Sequence, residues 1–283
     1  MSFSLVLNNS NVVAGSNNNT YRYNFIQGSF NIPENSEISV SSVVVPYSFY
    51  NISVAYNNNS FVLNYPQLGI YSVVLITLPD GFYTIDTLNS FIQQICITYG
   101  FYLINSSGQN VYYITVNPNI TYYANQFVFS KVPSVLPTGW TNPGGSLPTA
   151  TISPFIQINN SGFGTYIGLT NGYYPMSTAI GYSGAASSVA VNSNQTPNGS
   201  NVNSILMRCS IVNNRVGIMT DMLDAFPINT TFGSNITYNP PFQKWVKASS
   251  GNFNNMTVQF VDQNFNPIVM NDSNILITIL IKK

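Results

Sequence analysis

The sequence predicts an all-β protein, a single antiparallel jelly-roll β-sandwich with one amphipathic helix and long loop insertions. Short segments in which apolar and polar residues alternate recur along most of the 283 residues, as expected for half-buried strands. Helical periodicity is found in one segment, and stretches rich in Pro, Gly and Asn separate the others. Many short strands, one helix and long loops favour a sandwich, and the eight-stranded jelly roll fits the count best.

The first 80 residues predict strands divided by turns. Ser2–Asn8 alternates as a short edge strand, and Glu37–Pro46 is a longer β run closed by proline. Val54–Tyr56 and Phe61–Tyr65 flank a run of asparagines, which we interpret as a hairpin tip because Asn tolerates positive φ. Tyr71–Leu78 is apolar and β-branched, and the Pro-Asp-Gly that follows it predicts a turn.

One segment departs from the period of two and predicts a helix over about residues 84–99. Thr84 can cap its N-terminus, Asp86 in the first turn favours the helix dipole, and Gly100 is placed to end it. Its apolar residues follow the i, i+3, i+4, i+7 spacing of one helix face; they are Leu88, Phe91, Ile92, Ile95, Cys96 and Tyr99.

The second half of the chain begins with a long stretch of weak patterning. Residues 131–203 are rich in Pro, Gly, Ser and Asn, with short apolar islands at Phe155–Ile158 and Tyr166–Leu169. This length exceeds that of ordinary loops and indicates a functional excursion carrying a few strands. Met256–Val261 and Asn274–Lys282 then predict two strong closing strands.

We therefore predict one jelly-roll domain over residues 1–283. Within it, residues 131–203 are predicted to form a loop-rich insertion. The longest apolar run near the C-terminus, Ile275–Ile281, is far below the ~18 residues that a membrane-spanning helix needs. We therefore expect no membrane span.

Charged residues make up only 6% of the chain, eight basic and eight acidic, and there is no histidine. In ordinary domains charged residues make up roughly 25% of the chain. Eight scattered cations at net zero charge cannot neutralise a phosphate backbone, so nucleic-acid binding is excluded. Histidine, the residue most often used for acid–base catalysis and metal binding, is missing as well. A surface of uncharged hydrogen-bonding groups suits a protein that stays packed against neighbours, since buried charges cost desolvation.

Little in the sequence indicates chemistry, and we expect no enzyme, cofactor or metal site. Cys96 and Cys209 lack metal-ligand spacing and are interpreted as small buried hydrophobes. Trp140, in a loop, is the best candidate for a stacking contact with a glycan or receptor. A glycoside hydrolase stays open as an alternative, because two carboxylates suffice for that reaction; the pairs are Glu34/Glu37, Asp80/Asp86, Asp221/Asp224 and Asp262/Asp272.

Four stretches resemble the penton (vertex) and minor capsid proteins, of single jelly-roll type, of virophages, polinton-like viruses and large double-stranded DNA viruses. Residues 38–52 are similar to a β run leading into an aromatic "wYNI"-like turn, and residues 78–89 to a "pGfYti-x-x-lN" helix start. Residues 164–169 resemble a "laxxlGf" segment, and residues 259–279 the closing "f-x-x-D-q-n-g-n-p … itl-x-l" strands.

The resemblance implies a structural virion protein with no catalytic residues. Five copies would form the capsomer at each icosahedral five-fold vertex, in contact with the major capsid protein and with minor capsid or fibre proteins. Residues 1–19 would form an N-terminal arm, and the capsid would be assembled in the infected host cell. Two alternatives stay open: a minor or cement capsid protein away from the vertex, and a carbohydrate- or receptor-binding β-sandwich.

Overall fold

The structure, a computed structural model, describes residues 2–214 and 219–283. Residues 215–218 lie outside the described residues; they include Arg215 and the first residue of Ile218–Phe226, a stretch whose sequence pattern is ambiguous. In chain order the elements are β1 (Ser2–Asn8), β2 (Thr20–Asn24), β3 (Phe30–Ile32), β4 (Glu37–Pro46), β5 (Ser60–Gln67), β6 (Ile70–Thr77), α1 (Ile85–Tyr99), β7 (Tyr102–Ile104), β8 (Asn110–Tyr112), β9 (Ile114–Asn119), β10 (Ala124–Ser130), β11 (Phe155–Ile158), α2 (Ser161–Ile167), β12 (Gly172–Tyr174), β13 (Ser188–Asn192), β14 (Ser204–Cys209), β15 (Met222–Pro227), β16 (Asn235–Tyr238), β17 (Val246–Lys247), β18 (Gly251–Phe253), β19 (Asn255–Val261) and β20 (Leu276–Lys282).

The chain divides into two compact units. The first consists of Met1–Tyr50 and Val202–Lys283, and the second of Asn51–Asn201. The second unit therefore lies, in sequence, between β4 and β14 of the first. Its two ends are joined to each other, because the side-chain amide of Asn201 donates to the carbonyl oxygen of Asn51 at 2.7 Å.

The first unit contains eight principal strands in two antiparallel sheets, in the orders β1-β20-β4-β16 and β2-β19-β14-β15. Counted one to eight along the chain, these orders are 1-8-3-6 and 2-7-4-5, which is the jelly-roll arrangement. The predicted all-β jelly roll is confirmed. One jelly roll is present, and its strands come from the two outer segments of the chain rather than from its whole length.

Each sheet of this unit has one apolar face. In β4 the buried residues include Ile38, Val40, Val43 and Val45. The alternation shifts by one residue between Val40 and Val43, where the pairing of β4 with β20 contains a bulge. Across the sandwich, the Phe226 ring of β15 stacks on the Tyr238 ring of β16 at 4.9 Å between centroids. Period-two burial of this kind follows from the side-chain alternation of a strand.

Residues 2–8, which lie within the predicted N-terminal arm, form β1 and pair with β20 along their full length. The edge strand predicted at Ser2–Asn8 is thus present, at the end of its sheet. To contact a neighbouring subunit, these residues must either detach from β20 or pair with a strand of that subunit at the free edge of β1.

The second unit consists of a four-stranded sheet, β12-β11-β5-β6, a three-stranded sheet, β13-β10-β9, and the ribbon β7-β8. The helix α1 lies against β9, and Leu88, Ile92 and Cys96 from its inner face are buried. Residues 131–201 of the predicted insertion are integral to this unit, since Ile156, Ile158 and other residues of the stretch belong to its core. The predicted loop-rich insertion thus carries three of its strands and a helix.

The helix predicted over 84–99 is confirmed as α1. Thr84 and Thr87 exchange a capping box, and Gly100 ends the helix at φ 70°. The second helix, α2, was not predicted, because it has seven residues and two are glycines. Asn160 caps it by accepting the backbone N–H groups of residues 162 and 163.

The strand predicted at Val54–Tyr56 is wrong, because residues 54–57 form a turn. The Asn58 side chain holds this turn by accepting the N–H of Ser53 and donating to the carbonyl of Asn51. Local side-chain hydrogen bonds of this type compete with strand pairing.

Candidate functional site

Charged groups are distributed unevenly between the two units. Residues 51–201 contain only three charged side chains, Asp80, Asp86 and Lys131. Asp80 accepts the N–H of Val54, Asp86 lies in the first turn of α1, and Lys131 donates to a backbone carbonyl. The rest of this unit's surface is uncharged, and it can be covered without desolvating ionised groups.

Five of the six side-chain carboxylates of the first unit have structural partners, and the sixth, Glu34, lines a pocket with Lys247. Asp221 accepts two nitrogens of Arg208, with the shortest distance 2.7 Å. Asp224, whose side chain is 5% exposed, accepts Lys244 at 3.0 Å and the Tyr238 hydroxyl at 2.9 Å. Asp262 accepts backbone N–H groups of its own turn, as does Asp272, and Glu37 pairs with Lys282.

Among residues 2–214 and 219–283, no three His, Cys, Asp or Glu side chains come together in a way that could hold a metal ion. Within the same residues, neither α1 nor α2 is long and apolar enough to cross a membrane. Both cysteines are free and buried, and burial raises the pKa of each thiol to about 12. They are the small buried hydrophobes that the sequence predicts.

The Trp140 side chain is half-buried and packs against the core of the second unit. Its backbone N–H donates to the carbonyl of Pro137. Its role as a glycan or receptor contact stays a prediction.

The most exposed apolar strand of the second unit is β6. Val73 and Leu75 are 66% and 62% exposed and lie on the same face, while Ile70 is exposed near the turn. No charged residue lies between Ser60 and Pro79. Exposed apolar groups in a continuous strand mark an interaction surface more reliably than scattered ones.

The fold places β6 at the end of its sheet. It pairs with β5 through a two-residue turn, Leu68-Gly69, in which both residues have positive φ. This geometry matches a type I′ hairpin, whose twist agrees with that of the strands. The other edge of β6 pairs with no strand of residues 2–214 or 219–283.

A second exposed apolar group lies at the tip of the β9–β10 hairpin. Ile120, Tyr122 and Tyr123 are 88%, 71% and 77% exposed. Tyr123 has φ 49°, a left-handed conformation that is strained for a bulky residue. A pocket of about 300 Å³ adjoins this tip and is lined by these residues: Pro118, Asn119, Ile120, Tyr123, Ala124, Asn125 and Pro197.

The strand at Tyr71–Leu78 is predicted from the sequence, but its exposure is not. A continuous apolar run usually indicates a buried strand. The sequence around this strand contains no charged residue, and this is compatible with burial either in the core of the protein or against a partner.

No protein-family model matches this chain, and a comparison with curated proteins finds no relative. Two solved structures are similar over nearly the full length. The mavirus penton protein has TM-score 0.47 and 9% identity, covering 100% of this chain and 98% of that one. A chain of the Sputnik virophage cryo-EM structure has TM-score 0.44 and 12% identity, covering 99% and 97%.

The first match is a penton protein, in agreement with the resemblance found in the sequence.

Proposed function

We propose that the chain is a structural protein of a virion. In this proposal it forms the pentameric capsomer at the five-fold vertices of an icosahedral capsid and contacts the major capsid protein around it. It has no enzymatic role. Both units act together as one building block of the shell.

The observation that carries this proposal is the uncharged surface of residues 51–201, with the exposed β6 at one edge. An isolated protein stays dispersed through surface charge. A surface with three charged groups in 151 residues is suited to continuous burial between subunits. The jelly roll of the first unit supports the same conclusion, because this fold is common among viral capsid proteins.

A ring requires each subunit to present two different patches, one to each neighbour. Such heterologous contacts close into a ring when the rotation between subunits allows it. The two units of this chain supply different surfaces, which is the condition for heterologous contact.

The test is the mass and symmetry of the purified full-length protein. Native mass spectrometry is expected to give a species of five times 31.1 kDa, and negative-stain images are expected to show five-fold rings. A trimer would favour a minor or cement capsid protein away from the vertex. A monomer that persists at high concentration would contradict the capsid role.

The tip of the β9–β10 hairpin favours a second candidate function, carbohydrate or receptor binding. Aromatic side chains with one apolar face and one polar end are suited to such contacts. The candidate predicts saturable binding on a neutral glycan array that is lost in Tyr123→Ala and kept in Trp140→Ala. The opposite pattern would assign the contact to Trp140.

A further inference from the structure

The turn of the β5–β6 hairpin determines which backbone groups of β6 face outward. Gln67 and Ile70 flank the two-residue turn and are paired, and in such a hairpin the flanking pair is hydrogen-bonded. Bonded and non-bonded pairs then alternate along the ladder. The backbone N–H and C=O groups of the non-bonded positions point away from β5; these are Tyr71, Val73, Leu75 and Thr77.

These groups make an open edge without any of the features that protect edges in other proteins. Sheet edges are commonly blocked by lysine, proline, a bulge or a short strand. The β6 strand has eight residues, a continuous register with β5, no charge and no proline. Its outward positions also carry the exposed Val73 and Leu75 side chains. An added strand would gain both backbone hydrogen bonds and apolar contact.

The chain itself contains a suitable strand to add. Among the other strands at sheet ends in the described residues, β1 is the longest without a charged residue. Phe3 and Val6 in β1 are exposed. Two uncharged, partly apolar edges on one polypeptide match each other in charge and length.

We infer that the open edge of β6 pairs with β1 of a second copy of the chain. The contact joins different strands on the two copies, so it is heterologous and each copy can make it twice. This inference rests on the proposed function and identifies the contact by which the ring is built.

The experiment compares hydrogen–deuterium exchange in the assembled and dissociated full-length protein. Peptides covering residues 70–77 and residues 2–8 are expected to be protected on assembly. A peptide covering residues 105–109, an exposed turn, serves as the reference that stays unchanged.

A pair of variants tests the edge itself. Val73→Pro removes an outward N–H, at a position where proline is tolerated on an edge strand, and is expected to weaken assembly about tenfold. Val73→Thr keeps the N–H and the β-branched shape and is the control. If Val73→Pro does not fold, Val73→Lys replaces it, since an edge lysine blocks pairing without removing a backbone group.

The outcomes separate the inference from the proposed function. Assembly with protection of both segments supports the inference. A five-membered ring in which residues 70–77 exchange as fast as in the monomer overturns it and leaves the capsid role standing. Protection of 70–77 without 2–8 overturns β1 as the partner strand. A protein that never assembles contradicts both.

Discussion

Asn51 holds three backbone groups of the second unit, and replacing it should destabilise the fold. Its side chain is buried. The amide oxygen accepts the N–H of Tyr83, and the amide nitrogen donates to the carbonyls of Tyr83 and Gly199, each at 2.8 Å. The Tyr166 hydroxyl also donates to the carbonyl of Tyr83, so that group keeps a partner without Asn51.

The expected magnitude follows from these contacts. Each hydrogen bond contributes about 1 kcal/mol net, and a buried group left without a partner costs about 1–3 kcal/mol. Asn51→Ala breaks three bonds; the N–H of Tyr83 loses its partner, whereas the carbonyl of Gly199, an exposed residue, can turn to water. We expect the free energy of unfolding to fall by about 3 kcal/mol. This is a large share of a total of roughly 5–15 kcal/mol.

The assay is urea unfolding followed by circular dichroism, at equal protein concentration because association also stabilises the folded state. Asn171→Ala, at an exposed asparagine of the same unit, is the control and should change little. Asn51→Asp keeps the acceptor but places a carboxylate against two carbonyls, so it should lose at least as much. A loss below about 1 kcal/mol for Asn51→Ala would refute this reasoning.

Three further predictions concern a close backbone approach, the thiols and the salt response. Gly100→Ala should lower the melting temperature more than Gly108→Ala does. Both residues have positive φ, but a Cβ at Gly100 would lie 2.6 Å from the Gly144 backbone, whereas a Cβ at Gly108 would meet open space. Equal losses of stability in the two variants would contradict this. The buried thiols of Cys96 and Cys209 should resist iodoacetamide in the folded protein. In the folded protein the pKa of each thiol is raised from 9.0 to about 12, so the thiols of the unfolded chain ionise at lower pH. The urea concentration at the unfolding midpoint should therefore fall as the pH rises above 9. A midpoint that does not change between pH 8 and about 10.5 would contradict this linkage. Assembly should change little between about 0.05 and 0.5 M salt, because an uncharged contact is not screened; dissociation at high salt in sedimentation would indicate ion pairs instead.

The helix α1 could be predicted from the sequence because every local signal agrees. Its apolar spacing, the cap at Thr84 and the stop at Gly100 lie within a few residues of one another. The strands Ser2–Asn8 and Glu37–Pro46 were found for the same reason, since their alternation is local. The jelly-roll class followed from the number and kind of such elements.

The division of the chain could not be predicted in this way. The return of the jelly roll at β14 depends on pairing with β19 and β15, which no local pattern encodes. In residues 131–203 the apolar islands at Phe155–Ile158 and Tyr166–Leu169 are local signals of burial, but they are too short to indicate that most of this stretch belongs to the core of a second unit.

The sequence predicts that the protein has an uncharged contact surface, but not where on the fold that surface lies. Scarcity of charge indicated contact with neighbours, but not that Val73 and Leu75 would be exposed on an edge. The place of β6 at the end of its sheet follows from the pairing order β12-β11-β5-β6, which no local pattern encodes. Trp140 was chosen as an exposed aromatic, whereas Tyr122 and Tyr123 are more exposed.

The hydrogen bond between Asn201 and Asn51 bears on how a jelly roll can contain a second unit of this size. An unstructured connection of that length between β4 and β14 would carry a loop-closure entropy that grows with its length. Once the inserted residues fold and their two ends meet, the connection behaves as a loop of a few residues, which lowers that entropic cost by about 3 kcal/mol. The folded insertion therefore lowers the entropic cost of joining the two sequence segments of its host.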